Sequence, residues 1–152
     1  MVVFKMLKLS KKVEYGIIAL KHLLNQPKNE FARAKEIAEA YNIPQEVMAK
    51  ILQTLTRQGI VRSIQGARGG YVLAKSGKEI KLSNVIECID GPVGLVDCVN
   101  EDNKDCEQIV NCNIIDPLRV IQEQFLIFLS KISLEEINNE IEMQKVSWLN
   151  SS

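Results

Sequence analysis

The chain has 152 residues, 46% of them apolar and 25% charged, with four cysteines, one histidine and no formal net charge. This describes one domain, or one small domain with an appendage, carrying enough apolar residue for a core; no apolar run approaches the ~20 residues a membrane helix needs. The opening MVVFKML is too short for a secretory signal, so a cytoplasmic protein without membrane contact is expected. In a reducing compartment, clustered cysteines point to metal ligands or redox sensors rather than structural disulfides.

The zero balance hides a division. Residues 1–75 hold 13 Lys/Arg against 5 Asp/Glu, and residues 76–152 hold 6 against 14. A basic half suits a polyanion, because such contact needs only local charge. The acidic half should avoid DNA and can neutralise a cation or cluster.

In chain order, Ser10 can cap a first helix running to about Asn25, with Val13, Gly16, Ile17, Leu20, Leu23 and Leu24 on one face at ~100° per residue. Glu14, Ile18 and His22 fall on a different side. Gln26-Pro27-Lys28-Asn29 ends that helix. A short second helix follows, roughly Ala34 to Tyr41, with Ile37 and Ala38 inward. After the turn Asn42-Ile43-Pro44, Pro44 suits the first position of a third helix, where its missing N–H is no loss. That helix runs through Val47, Ile51, Leu52 and Leu55 to Arg57, and Gly59 terminates it. Ile60–Ile64 and Tyr71–Leu73 are β-prone runs around the glycine-rich tip Gln65-Gly66-Ala67-Arg68-Gly69-Gly70, which reads as a hairpin. Three helices and a hairpin describe a winged helix-turn-helix.

Leu82 to Ile89 reads as a short fourth helix closed by Asp90-Gly91-Pro92. Residues 93–113 hold Cys98, Cys106 and Cys112 and show no clean period. A long helix should start with Asp116 as N-cap and Pro117 at the first position. It carries Leu118, Ile121, Phe125, Phe128, Leu129 and Ile132, and Leu126 and Ile127 widen the stripe beyond what one small domain covers. The excess predicts a dimer interface. Ser133-Leu134-Glu135-Glu136 is a capping box opening a last helix, and Trp148–Ser152 should fray. The fold class is therefore mainly α with a small β wing. Residues 1–81 form a winged helix-turn-helix DNA-binding domain (wing about 60–74). Residues 82–115 form a short helix and a cysteine-bearing sensor loop, 116–145 the dimerisation and last helices, and 146–152 a tail.

A third helix of this kind enters the major groove with its N-terminal residues nearest the bases. Those residues are Gln45, Glu46, Ala49 and Lys50; Gln45 and Lys50 can reach base edges or phosphates, and Glu46 can accept from a cytosine amine. Alone, such a face is equally the solvated side of a core helix. The wing shifts the balance: Gln65 and Gly66 open a tight tip, and Arg68 there suits the minor groove. Lys8, Ser10, Lys11 and Lys12, at the start of the first helix, suit phosphates. Double-stranded DNA is the partner these features select.

The cysteine spacing Cys-x7-Cys-x5-Cys lacks the tight pair of ferredoxin and zinc-ribbon sites. A loose loop can gather three thiolates without dictating the metal. Cys88, within the apolar Val85–Ile89, is commonly core. With one histidine on a different element and no Cys-x-x-Cys, there is no nucleophile–base pair, and no enzyme is expected.

These features resemble the Rrf-two family of bacterial winged-helix regulators, which includes IscR, NsrR and CymR. The resemblance rests on Leu9-Ser10, Tyr15, Ile37-Ala38, Ile43, Leu52, Leu55, Gly59-Ile60-Val61, Gly66, Gly69-Gly70-Tyr71-Val72-Leu73, Val85-Ile86-Glu87, Gly91-Pro92, the three cysteines and Ile132-Ser133-Leu134. It implies a homodimer whose recognition helices read a two-fold operator, and an iron–sulfur cluster held by Cys98, Cys106 and Cys112. [2Fe–2S] is favoured over [4Fe–4S]. Many members have arginine where this chain has Gln65. IscR-like members have a histidine where it has Ile115, so the fourth ligand must differ. NsrR-like relatives imply Glu14, delivered by the partner subunit; an ordinary exposed glutamate is the alternative. Asp97, Asp105, Glu107, Cys88 and His22 are further candidates. The function expected is a transcriptional regulator controlled by cluster status, redox state or nitric oxide. The alternative is a cluster-free regulator controlled by zinc, thiol oxidation or a protein partner.

Overall fold

The computed structural model describes residues 8–96 and 106–139. Six α-helices and a two-stranded antiparallel sheet are present among them: α1 (Lys11–Leu24), α2 (Ala34–Ala40), α3 (Gln45–Arg57), β1 (Val61–Ile64), β2 (Gly70–Leu73), α4 (Leu82–Asp90), α5 (Ile115–Lys131) and α6 (Leu134–Asn138). No helix among the described residues is long and apolar enough to cross a membrane. The expected residues 140–145 of the last helix, and the expected tail, lie outside the described residues.

Local chemistry sets the helix ends. The Ser10 hydroxyl accepts from Val13 N and caps α1, which satisfies one of the donors a helix start leaves open. Gly59 follows α3 at φ 71°, a left-handed conformation in which a Cβ would be strained. At α6 the capping box is formed: Ser133 N and Oγ donate to Glu136 Oε2 at 2.7 and 2.8 Å, and Glu136 N donates to Ser133 Oγ at 3.2 Å. Two starts differ from expectation. Pro44 is the cap of α3, not its first residue, because its ψ of 129° is extended. α5 begins at Ile115 with Ile114 as cap, so Asp116 lies inside the first turn. There its carboxylate lies 3.7 Å from Arg119 and favours the positive end of the helix dipole.

The core gathers Leu20 and Leu23 of α1, Ile37 and Ala38 of α2, and Met48, Ile51, Leu52 and Leu55 of α3. Val85 of α4 and Leu134 of α6 belong to the same cluster. Met48 and Ala19 are completely buried, although the spacing argument passed over both. Gly16 permits α4 to approach α1, for a Cβ there would meet the Ile89 side chain. The wing pairs Val61 with Leu73 and Ile64 with Gly70. Its outer edge is covered by a bridge the sequence did not announce. Tyr71 N donates to Ala32 O at 2.8 Å, and Ala32 N donates to Tyr71 O at 3.2 Å.

α5 is held mostly by its end. Leu129 joins Val13 and Ile86 in a second buried cluster. Just beyond the helix, Leu82 N donates to Ile132 O at 2.9 Å and Leu134 N donates to Ile80 O at 2.8 Å. Only Gln122 and Leu129 of α5 are buried. The exposed apolar residues are Val120, Ile121, Phe125, Ile127 and Phe128. Leu126, one of the two residues expected to carry the excess, is instead half-buried.

Two predictions follow from this packing. Leu52→Ala removes a fully buried side chain and should cost about 2–5 kcal/mol in a denaturant titration. Cys88 is packed against the core, with its thiol 3.8 Å from Thr54 O. Burial pushes that thiol above its ordinary pKa, with Arg57 opposing. Little thiolate should therefore exist at neutral pH. Alkylation of Cys88, followed by peptide mass spectrometry, should be slow at pH 7.5 and still accelerating past pH 9; rapid labelling at neutral pH would contradict the assignment.

Candidate DNA interface and thiol site

α3 buries one side and exposes the other. Gln45, Glu46, Lys50, Gln53 and Arg57 are exposed, and Ala49 is half-buried. Lys12 of α1 joins Lys50, Gln53, Thr54 and Arg57 around a groove of about 420 Å³. Arg57 donates to Thr54 Oγ1 at 3.2 Å, and Thr54 in turn donates to Lys50 O at 3.0 Å. Gln53 and Arg57 were missed from sequence, although residues 46, 50, 53 and 57 recur at helical spacing opposite the buried stripe.

The residues at the start of α1 divide in role. Lys8 and Lys12 are exposed. Ser10 is committed to the helix cap. Lys11 lies 2.6 Å from the Glu14 carboxylate, and that hydrogen bond raises the ammonium's pKa. Across the molecule, Gln65, Gly66, Ala67 and Arg68 are all exposed at the wing tip. Gly66 has φ 119°, which restricts that corner to glycine. A residue absent from the sequence argument lies beside it. Arg33, just before α2, donates to Ala67 O at 2.6 Å and to Gly69 O at 3.4 Å.

The described thiols lie in two places. Cys106 and Cys112 are free, half-buried and flank a single 3-10 turn, Ile109–Asn111. Ile109 N donates to Cys106 O at 3.1 Å, and the Cys106 thiol is 3.5 Å from Gln108 Oε1. Cys98, Asp97 and Asp105 lie outside the described residues, and Glu107 is exposed. Cys88 faces α3 instead. Among the described residues of the single chain, no three His, Cys, Asp or Glu side chains are grouped to hold a metal ion; Glu14 is paired with Lys11. His22 has structural partners on both ring nitrogens, Tyr41 Oη at 3.1 Å and Gln26 Nε2 at 2.8 Å. A ring carrying its proton on Nδ1 satisfies both. The segment leading to Cys98 is anchored from α5, where buried Gln122 accepts from Leu95 N at 3.0 Å.

Known proteins are similar in sequence and in fold. The chain is 28% identical over 139 residues to the HTH-type transcriptional regulator NsrR of Halalkalibacterium halodurans, covering 91% of this chain and 95% of that one. The structure of CymR, the global cysteine regulator of B. subtilis, superposes with a TM-score of 0.67 at 27% identity, covering 90% of this chain and all of the other. IscR of T. potens superposes with a TM-score of 0.66 at 23% identity, covering 91% of each chain, and shares the fold. The Rrf2 family, described as an iron-dependent transcriptional regulator, matches residues 9–140. The chain belongs to the Rrf2 family and is a winged-helix transcriptional regulator, not an enzyme.

Proposed function

We propose that this regulator binds its operator as a homodimer and that an iron–sulfur cluster on Cys98, Cys106 and Cys112 controls the affinity. The observation that carries the reading is the position of Cys106 and Cys112 just ahead of α5. The helix starts three residues after Cys112, and its far end is hydrogen-bonded into the DNA-binding head through Ile132 and Leu134. A change at the cysteines is therefore delivered to the element that borders the head.

The donor chemistry fits. Cys106 and Cys112 are free and partly accessible on one short turn, and thiolates are the donors iron–sulfur clusters use. The family description as iron-dependent agrees. When bound, the cluster supplies a redox-sensitive cross-link among these thiols. The chain's own residues do the rest: Gln122 fixes the entry to the loop by holding Leu95 N, and α5 fixes its exit. Glu14, on α1, is the candidate fourth ligand from the partner subunit. Its release from Lys11 would join one subunit's thiols to the other's head.

The exposed stripe Ile121, Phe125 and Phe128 supports dimerisation through α5. Apolar residues at this spacing on a helix face ask for a second helix. A second reading, regulation without a cluster, is favoured by the Lys11–Glu14 pairing and by likeness to CymR.

Anaerobic reconstitution with iron and sulfide separates the two readings. Visible absorbance and acid-labile sulfide should appear with the wild-type chain and be lost in Cys98→Ser, Cys106→Ser and Cys112→Ser. Holo and apo protein should then differ in affinity for a selected duplex at one fixed salt concentration, since salt dominates such binding. Colourless protein carrying zinc, or equal affinities, would remove the cluster from the mechanism. Glu14→Ala should shorten cluster lifetime; an unchanged lifetime assigns the fourth position elsewhere. Phe125→Asp should give a monomer by light scattering and weaken binding about a hundredfold, through loss of the linked second half-site.

A further inference from the structure

We infer that Arg33 is a positioning residue that clamps the wing tip and aims Arg68 at the DNA minor groove. The inference rests on the DNA-binding reading and deepens it. The two carbonyls Arg33 engages, Ala67 O at 2.6 Å and Gly69 O at 3.4 Å, are those immediately before and after Arg68. One guanidinium thus brackets the backbone of the residue that has to be presented.

The tip needs such a bracket. It contains three glycines in six residues, 65–70, and glycine loses more conformational freedom on ordering than any other residue. Within the tip, the backbone closes on itself through Gly69 N donating to Gly66 O at 3.0 Å. The start of β2, next to the tip, is already fixed from the same side. The Ala32–Tyr71 bridge sits one residue before Arg33, and Gly70 is pressed so close that an added Cβ would lie 2.8 Å from Ala32 O. Residues 32 and 33 therefore hold the start of β2 and the turn before it from one segment. Arg33 N also donates to Glu36 Oε2 at 2.8 Å, which locks the backbone of residue 33 to α2.

The choice of arginine follows from geometry. A guanidinium presents five N–H donors in a planar fork, so it can bind two carbonyls and retain donors. A lysine ammonium is a single point on a flexible stem and cannot span the same pair as rigidly. The clamp also places a second cation beside Arg68. Such a pair tolerates its own repulsion at an exposed site and gains when an anionic groove approaches. This supplies a physical reason for Arg68 to serve at a tip whose first position is Gln65.

The test is a double-mutant cycle on a fluorescent 30-base-pair duplex selected by the wild-type chain from a random library. Arg33→Ala should weaken binding about tenfold in the wild-type background, the scale of a charge-assisted hydrogen bond lost. It should weaken binding less than about twofold when Arg68→Ala is already present, because coupled residues are not additive. Arg33→Lys should recover charge without recovering affinity. Hydroxyl-radical footprints should lose protection at the outer minor grooves and keep it at the central major grooves. Equal losses in both backgrounds would make Arg33 an independent phosphate contact and overturn the clamp. No loss from Arg33→Ala, or none from Arg68→Ala, would overturn it too. A wild-type chain that selects no duplex would instead remove the DNA-binding reading, and the clamp with it. Arg33 is exposed, and unchanged thermal unfolding of Arg33→Ala separates the clamp from a general loss of fold.

Discussion

The structure depends on one constraint at α3: a single helix must bury one face completely and keep the other free for a polyanion. Met48, Ile51, Leu52 and Leu55 are 4% exposed or less, and each fills space between α1, α2 and α4. Burial of four such side chains fixes the helix in rotation as well as position. Rotation is what matters for recognition, since a turn of one residue, ~100°, would replace Lys50 by Ile51 or Ala49 at the surface. The outward set Glu46, Lys50, Gln53 and Arg57 is therefore specified by the inward one.

The wing obeys the same logic with different forces. It has little apolar surface to bury, and every residue of β2 is only half-buried. Hydrogen bonds do the positioning in its place: the β1–β2 backbone ladder, the Ala32–Tyr71 backbone bridge and the two bonds from the Arg33 side chain. Directional bonds suit a thin projection that must stay solvated until DNA covers it, whereas apolar packing would need a second layer that would obstruct the groove.

Periodicity made much of this legible. The helices, the hairpin and the buried face of α1 are encoded by residues a few positions apart, and local spacing reports them directly. What escaped depended on contacts remote in sequence. The Ala32–Tyr71 bridge joins residues 39 apart and has no signature in Phe31-Ala32-Arg33. Arg33 was invisible for the same reason, because a lone arginine before a helix is ordinary. Asp116-Pro117 looked like a helix start, yet α5 begins two residues earlier, with Leu118 N donating to Ile114 O at 3.0 Å. For the candidate sites, the sequence marked Cys106, Cys112 and the wing tip by composition. It marked Ser10 as a cap but could not show that Glu14 holds Lys11. That depends on where a side chain turns, not on what it is.

α5 gives the architecture its remaining degree of freedom. A 17-residue helix with only Gln122 and Leu129 buried is not fixed along its length by its own chain. Its C-terminal end is fixed, by Leu129 beside Val13 and Ile86 and by the backbone bonds at Ile132 and Leu134. The Asn25–Asn138 side-chain pair, at 2.7 and 3.2 Å, ties the following α6 to the end of α1. A rod anchored at one end and apolar along its free length takes its direction from whatever covers that length. Because the anchor is built into α1 and α4, and α1 and α4 pack on α3, any such cover sets the direction of α5 relative to the recognition face. The exposed apolar stripe of α5 and the exposed face of α3 are thus joined through one anchor, and the half-buried Cys106 and Cys112 next to the free end of α5 lie where a small displacement has the longest lever.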